Sequence, residues 1–254
     1  MKITLNSVSA FSEMRNKFSP EMSQKNDDSF ISPLKKQDGF LFGVADGVGS
    51  YLGAKDASNF VCNYLESIPK ISHDYIENYL TKDLKESFQK FIEDQNSDYS
   101  KASTTLSFCF LNSKGLSIWH VGDCRVYLKK ETKLIQITND HTQYQQLLDQ
   151  KIYNRRELKE QNINKNVLTS AISPFLELDN DYIYVSYEEL KDYGQEISIY
   201  LMTDGAYHFW DLKKSFSKAT LTDITRFTNA LKRRIERKGP VDDYTLLSLD
   251  FKLD

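Results

Sequence analysis

Apolar and polar residues alternate over positions 3–8, which predicts a first β-strand, and Phe30 with Ile31 marks a second short one. An apolar run at 40–45 stops abruptly at Asp46. The period then changes: Ala57, Val61, Tyr64, Leu65 and Ile68 keep helical spacing up to Pro69. Tyr75, Tyr79, Leu84, Phe88, Phe91 and Ile92 form the apolar face of a second helix predicted from about 73 to 92. Short strands with turn signals between them return at 105–111, 116–121, 125–128 and 134–137, and in that order they read as an antiparallel meander.

Residues from about 140 to 180 interrupt this pattern. They are polar, weakly helical and rich in Asn, Gln and Lys, as expected of a surface insertion between strands. Strands resume at 182–187 and 197–203. Leu221, Ile224, Phe227, Leu231 and Ile235 then predict a helix capped by Thr220 or Thr222 and ended by Gly239-Pro240, and 245–251 alternates as a closing strand. Strands joined by short turns favour antiparallel sheets with helices packed outside. No Pro/Gly/Ser-rich linker or repeat divides the chain, so a single α+β domain over 1–254 is expected.

With 254 residues, 40% hydrophobic and 27% charged, the chain can bury a sizeable core and is neither disordered nor fibrous in composition. A net charge of −3 gives no global attraction to nucleic acid or an anionic membrane, and neither is expected as a partner. The basic residues at 232–238 read as a solvated helix end that complements the helix dipole. No window approaches membrane-spanning length and the first 18 residues lack the apolar stretch of a signal peptide, so a cytoplasmic location is expected. Cys62, Cys109 and Cys124 lie far apart in apolar runs and read as buried thiols.

The candidate chemistry lies where strands end. Asp46, Asp123, Asp204 and Asp242 each stand beside a strongly apolar strand, and such strands bring their ends to a common rim. Two carboxylates within about 4 Å repel by roughly 4 kcal/mol at an intermediate dielectric, so a hard divalent cation is the natural neutraliser. Glycine is scarce, at 10 residues where average usage gives about 18, yet Gly39, Gly47, Gly122 and Gly205 each adjoin an aspartate. Taken singly, such pairs are turn dipeptides, and Asp38-Gly39 reads as one.

Jointly they carry a resemblance. Gly43-Val-Ala-Asp46-Gly47-Val-Gly49-Ser50, Ala102-Ser-Thr-Thr105 and Val121-Gly-Asp123-Cys-Arg125 occur in that order. Thr138-Asn-Asp-His141-Thr142, Leu201-Met-Thr-Asp204-Gly205 and Asp242-Asp-Tyr-Thr245-Leu follow. Order and spacing resemble the metal-dependent serine/threonine protein phosphatases, the PPM or type 2C family, in a bacterial-like form and over about residues 3–252. Asn26-Asp27-Asp28-Ser29 is similar to the early acidic motif of that family.

The resemblance implies a four-layer α/β/β/α sandwich of two antiparallel sheets flanked by helices, with a binuclear metal site at one end. It implies that Asp46 bridges two Mn²⁺ or Mg²⁺ ions, that the Gly47 carbonyl ligates one, and that Asp204 and Asp242 complete the pair. Asp123 matches a third-metal position of bacterial members. Asp27 matches an acidic residue acting through metal-held water, and Asp28 matches its structural neighbour. The stretch at about 140–180 corresponds to a flap beside the active site. The implied activity is hydrolysis of phosphoserine and phosphothreonine by a metal-activated water, and the implied partner is a protein phosphorylated by a serine/threonine kinase.

One departure bears on substrate. Where many members carry a phosphate-gripping arginine, this chain has Ser23, leaving Lys25 or Arg15 as candidate replacements. That departure motivates a second reading, a pseudophosphatase that binds phosphoproteins without turnover. A third is a small-molecule phosphatase on the same scaffold.

Overall fold

The computed structural model describes residues 2–15, 25–48, 52–95 and 97–253. Its strands form two five-stranded sheets, and every pairing within them is antiparallel. One sheet is ordered β1 (Ile3–Glu13), β10 (Tyr244–Leu253), β9 (Glu196–Met202), β6 (Arg125–Lys130), β7 (Lys133–Gln136). The other is ordered β2 (Asp28–Lys36), β3 (Gly39–Asp46), β4 (Leu106–Asn112), β5 (Gly115–Val121), β8 (Asp181–Ser186).

Period-two alternation sorts each central strand between two cores. Phe42, Val44, Cys109 and Leu111 face Ile199, Leu201, Leu247 and Leu249 between the sheets. Leu41, Ala45, Phe108 and Phe110 point the other way, onto α1 (Ala54–Ser67), α2 (His73–Asn78) and α3 (Leu80–Glu93). On the far face Tyr127, Tyr200, Met202 and Leu246 pack against α7 (Asp204–Leu212) and α9 (Ile224–Lys238). The result is the four-layer α/β/β/α sandwich. Burial on both faces explains why these strands read as continuous apolar runs. All three cysteines are buried and unpaired. No helix among the described residues is long and apolar enough to cross a membrane.

Three local expectations are corrected. The four strands from 105 to 137 are not one meander: β4 and β5 belong to one sheet, β6 and β7 to the other. The chain changes sheet at Gly122, whose φ of 94° turns it where a side chain would meet Thr105. The helix predicted over 73–92 is two helices, broken at Tyr79. Ile76, Leu80, Leu84, Phe88 and Ile92 stay buried through the break, so the apolar period does not register it. The cap of α9 is Asp223, which accepts the Arg226 N–H, because Leu221 belongs to a preceding single turn, Lys218–Leu221. Gly239, at φ 84°, ends α9 as expected.

The insertion lies between β7 and β8 and carries two short helices, Gln143–Asp149 and Arg155–Glu160. A backbone bridge between Thr142 and Leu168 closes the insertion on itself, and one between Thr104 and Ile172 fastens it to the sandwich.

Candidate active site

Each site residue is placed by the end of an element. Asp46 closes β3, and its carbonyl accepts the Thr105 N–H at 2.8 Å and the Thr104 hydroxyl at 2.9 Å. The β2–β3 register sets Asp28 directly opposite Asp46. Asp204 begins α7, where a helix N-terminus favours a carboxylate. Asp242 immediately precedes β10, and its Oδ1 accepts the N–H of Asp243 at 2.9 Å. Asp123 sits in the crossing between the sheets, held by Tyr207 Oη at 3.4 Å. The four sequence-predicted aspartates, which come from the ends of strands in both sheets and from the crossing between them, therefore converge on one end of the sandwich.

Two glycines are required by close backbone approach. A Cβ on Gly47 would lie 2.4 Å from the Ala54 carbonyl oxygen, and one on Gly205 would lie 2.0 Å from that of Asp243. Gly205→Ala should therefore push the 242–243 segment outward, lowering stability by about 1–3 kcal/mol in thermal unfolding and weakening divalent-cation binding in titration.

The electrostatics are one-sided. Burial, and then the charges of Asp28, Asp204, Asp123 and Asp242, hold the Asp46 carboxyl well above the ordinary carboxylate range. Asp28 is pushed up to about 7, by burial first, despite a 2.8 Å hydrogen bond from Thr203 Oγ1 to its Oδ2. Asp204 rises to about 7 through burial and the charges of Asp242 and Asp28, and Asp123 to about 8 through burial and the charge of Asp204. Asp242 and Asp27 are raised more modestly, burial again leading.

These donors fit a hard divalent cation. Asp28 Oδ1 and Asp204 Oδ1 are buried and have no hydrogen-bond partner, which is costly for carboxylate oxygens unless a cation meets them. No three His, Cys, Asp or Glu side chains among the described residues form a closed coordination group on their own. A cation here would thus complete its shell with backbone carbonyls and water, as Mg²⁺ and Mn²⁺ do.

Asp27 lies nearer the surface than Asp28, its backbone N–H bound to Asp243 and its carbonyl accepting from Gly47 N at 3.2 Å. Arg15 reaches the site, with Nη1 3.7 Å from Asp242 Oδ1. Lys25 is exposed and makes no ion pair among the described residues. Ser23, Gly49 and Ser50 lie outside them.

Three participants, Lys55, Tyr207 and Asp243, escaped the sequence reading, and Asp28 enters it only as the structural neighbour of Asp27. Asp28 is the deeper of the adjacent acids; Lys55 Nζ donates to the Asp28 carbonyl at 2.6 Å; Tyr207 bonds Asp123; and Asp243 holds two backbone N–H groups. The Asp28–Asp46 register was the signal available for Asp28. The others depend on helix faces and a turn that periodicity does not specify.

His141 supports the Asp123 turn. It donates its backbone N–H to the Gly122 carbonyl at 2.7 Å, and its Nδ1 accepts the Gly122 N–H at 3.3 Å. Its Nε2 lies 3.2 Å from Asp181, at the opposite end of the insertion.

A cleft of about 450 Å³ adjoins the carboxylates, with Asp204 and Asp242 on one side and Tyr144, Arg155 and Lys165 of the insertion on the other. A larger groove, about 840 Å³, runs between α3 and residues 172–178 and contains none of the site carboxylates.

Comparison with known proteins finds relatives of the chain and of its fold. The protein phosphatase 2C family model matches residues 21–243. A candidate protein phosphatase of Mycoplasma genitalium is 27% identical over 210 residues, 78% of each chain. The serine/threonine phosphatase structure of S. agalactiae superposes with a TM-score of 0.78 at 17% identity, covering 98% of this chain and 99% of that one. The catalytic domain of the phosphatase PstP, solved in complex with two manganese ions, gives 0.71 at 20% identity over all of both chains. With its two-sheet sandwich, its rim of buried carboxylates and a family match across most of its length, the chain belongs to the protein phosphatase 2C family.

Proposed function

We propose that Asp46, Asp204 and Asp242, with the Gly47 carbonyl, hold two divalent cations, Mn²⁺ or Mg²⁺, and that Asp123 serves a third. On this reading the whole chain, 1–254, is one phosphatase domain that removes phosphate from serine and threonine residues of proteins phosphorylated by a serine/threonine kinase. The observation that carries it is the pair of buried, unpartnered oxygens on Asp28 and Asp204 within a group of carboxylates that raise one another's pKa.

When bound, the ions would supply activation of water and neutralisation of the phosphoryl oxygens. The chain's own part is positional. Asp46, its backbone carbonyl fixed at the end of β3 by Thr104 and Thr105, sets its carboxyl among those of Asp28, Asp204, Asp123 and Asp242. Asp28, oriented by Thr203, adds negative charge beneath Asp46, while Asp27 keeps a solvent-facing carboxyl able to hold water. The insertion, through Arg155, Lys165 and Tyr144, walls the cleft through which a phosphorylated segment would reach the carboxylates and so bears on which substrates enter. Arg15 is the better placed of the two candidate phosphate-binding cations.

The test is hydrolysis of a phosphothreonine peptide and of a chromogenic aryl phosphate, with Mn²⁺, with Mg²⁺ and with chelator. Turnover of both only when a divalent ion is present is the expected result. Binding of phosphopeptide without turnover under any ion would instead favour a pseudophosphatase, and turnover of metabolite phosphates alone a small-molecule phosphatase.

A further inference from the structure

We propose that the Asp243 carboxylate staples Arg15 to the candidate metal site as a resident counter-cation, which competes with a divalent ion for Asp242 and serves substrate phosphoryl oxygens once released. The inference rests on the assignment of Asp242 as a metal ligand.

The staple is explicit in the hydrogen bonds. Asp243 Oδ1 accepts the backbone N–H of Arg15 at 2.9 Å, and Oδ2 accepts that of Asp27 at 2.7 Å. One carboxylate thus ties the residues that follow β1 to those that precede β2. Sheet register explains why Arg15 is the residue delivered. β1 and β10 run antiparallel with Ser12 opposite Thr245 and Glu13 opposite Tyr244, and continuing that register brings Arg15 opposite Asp242. The guanidinium accordingly lies 3.7 Å from Asp242 Oδ1, the same oxygen that accepts the Asp243 N–H.

Two other cations near the carboxylates, Lys55 and Arg125, are committed elsewhere. Lys55 Nζ is bound to the Asp28 carbonyl and Ser29 Oγ. Arg125 makes a bidentate pair with Asp140, at 2.8 and 2.6 Å, and bonds Asp211 at 2.7 Å. Among the described residues the Arg15 guanidinium instead makes a single long contact, and both partners are about half exposed, at 43% and 51% of their side-chain surface. An ion pair of that kind is weak and exchangeable. Its remaining guanidinium donors are available in the fork geometry that matches phosphate. Holding Arg15 at Asp242 lowers the repulsion among the acids before a cation arrives, and keeps a phosphate-binding group within reach afterwards.

This arrangement predicts effects of opposite sign, which a merely structural arginine would not produce. In calorimetric titration of the full chain, Arg15→Ala should bind Mn²⁺ about three- to five-fold more tightly than wild type, with the gain shrinking at high salt. With a phosphothreonine peptide it should raise KM about ten-fold while kcat changes less than two-fold. Arg15→Lys should keep the wild-type Mn²⁺ affinity, having kept the charge, but share the raised KM, having lost the fork.

Asp243→Asn retains shape but turns one of the two acceptors into a donor, so in that background Arg15→Ala should change Mn²⁺ affinity by less than half as much. Equal or weaker Mn²⁺ binding by Arg15→Ala overturns the counter-cation role, and an unchanged KM overturns the phosphoryl role. An Arg15→Ala effect undiminished by Asp243→Asn overturns the staple. Wild-type protein that binds no Mn²⁺ overturns the metal assignment itself, and this inference with it.

Discussion

Asp46→Asn is expected to reduce kcat/KM by at least three orders of magnitude, about 4 kcal/mol of transition-state stabilisation, while raising the stability of the metal-free protein. The two effects share a cause. Asp46 feels the charges of Asp28, Asp204, Asp123 and Asp242 together, so its carboxylate is the centre of the repulsion and the donor that a pair of cations would share. An amide of the same shape keeps the backbone contacts to Thr104 and Thr105 and removes the charge. Metal-free Asp46→Asn should therefore melt above metal-free wild type at pH 8, and Mn²⁺ should raise its Tm little. Phosphopeptide kinetics and thermal unfolding with and without Mn²⁺ check both halves. A variant retaining a tenth of wild-type activity would remove Asp46 from the centre of the site.

Metal-free wild-type protein should lose stability as pH rises from about 6 to 8.5, by about 3 kcal/mol and hence roughly 6–12 °C in Tm. Burial first, and then neighbouring carboxylates, push Asp28 and Asp204 up to about 7 and Asp123 up to about 8, against an ordinary value of 3.8. A carboxyl whose folded pKa is raised holds its proton more tightly in the native state. Its contribution is complete below about pH 4 and is lost as pH passes through 7 to 8. His120 acts in the opposite sense at lower pH. It is buried, bonded to Ser107 and to the Asn139 carbonyl, and pushed down to about 3, so folding is opposed once the unfolded chain protonates it below about 6.5. Between about pH 4 and 6 the three carboxyls outweigh the single imidazole, so the stability maximum of the metal-free protein should lie below about pH 6. Mn²⁺ should restore most of the loss at pH 8 and add little at pH 5. A Tm independent of pH between 6 and 8.5 in chelator would mean that the carboxylates are not held together as described.

Much of this fold could be read before any coordinates. Strands buried on both faces, such as β3 and β4, announce themselves as unbroken apolar runs, and Gly239 with Pro240 marks the end of α9. Choice of sheet could not be read, because the turn at Gly122 looks the same in sequence whether the next strand pairs with β5 or crosses to β9. For the site, Asp46, Asp123, Asp204 and Asp242 were legible as acids at the ends of apolar strands. The relative depth of Asp27 and Asp28 was not, since adjacent acids differ only in which face the strand register assigns them. Lys55, Tyr207 and Asp243 reach the site through tertiary contacts between segments far apart in the chain, such as Asp243 with Arg15 and Asp27, and no local pattern records such contacts.

The pairing of β1 with β10 has a consequence for the order in which the molecule can be made. The first strand lies beside the last, and β10 is also the neighbour of β9, from whose end Asp204 projects. A growing chain emerging from the ribosome can complete the Asp28–Asp46 hairpin early, but it has no partner for β1 until the ten residues of β10 appear. A chain that lacked only those residues would contain every acid named above and still have no strand to carry Asp242 to the others, so cation binding would mark the arrival of β10 in its sheet.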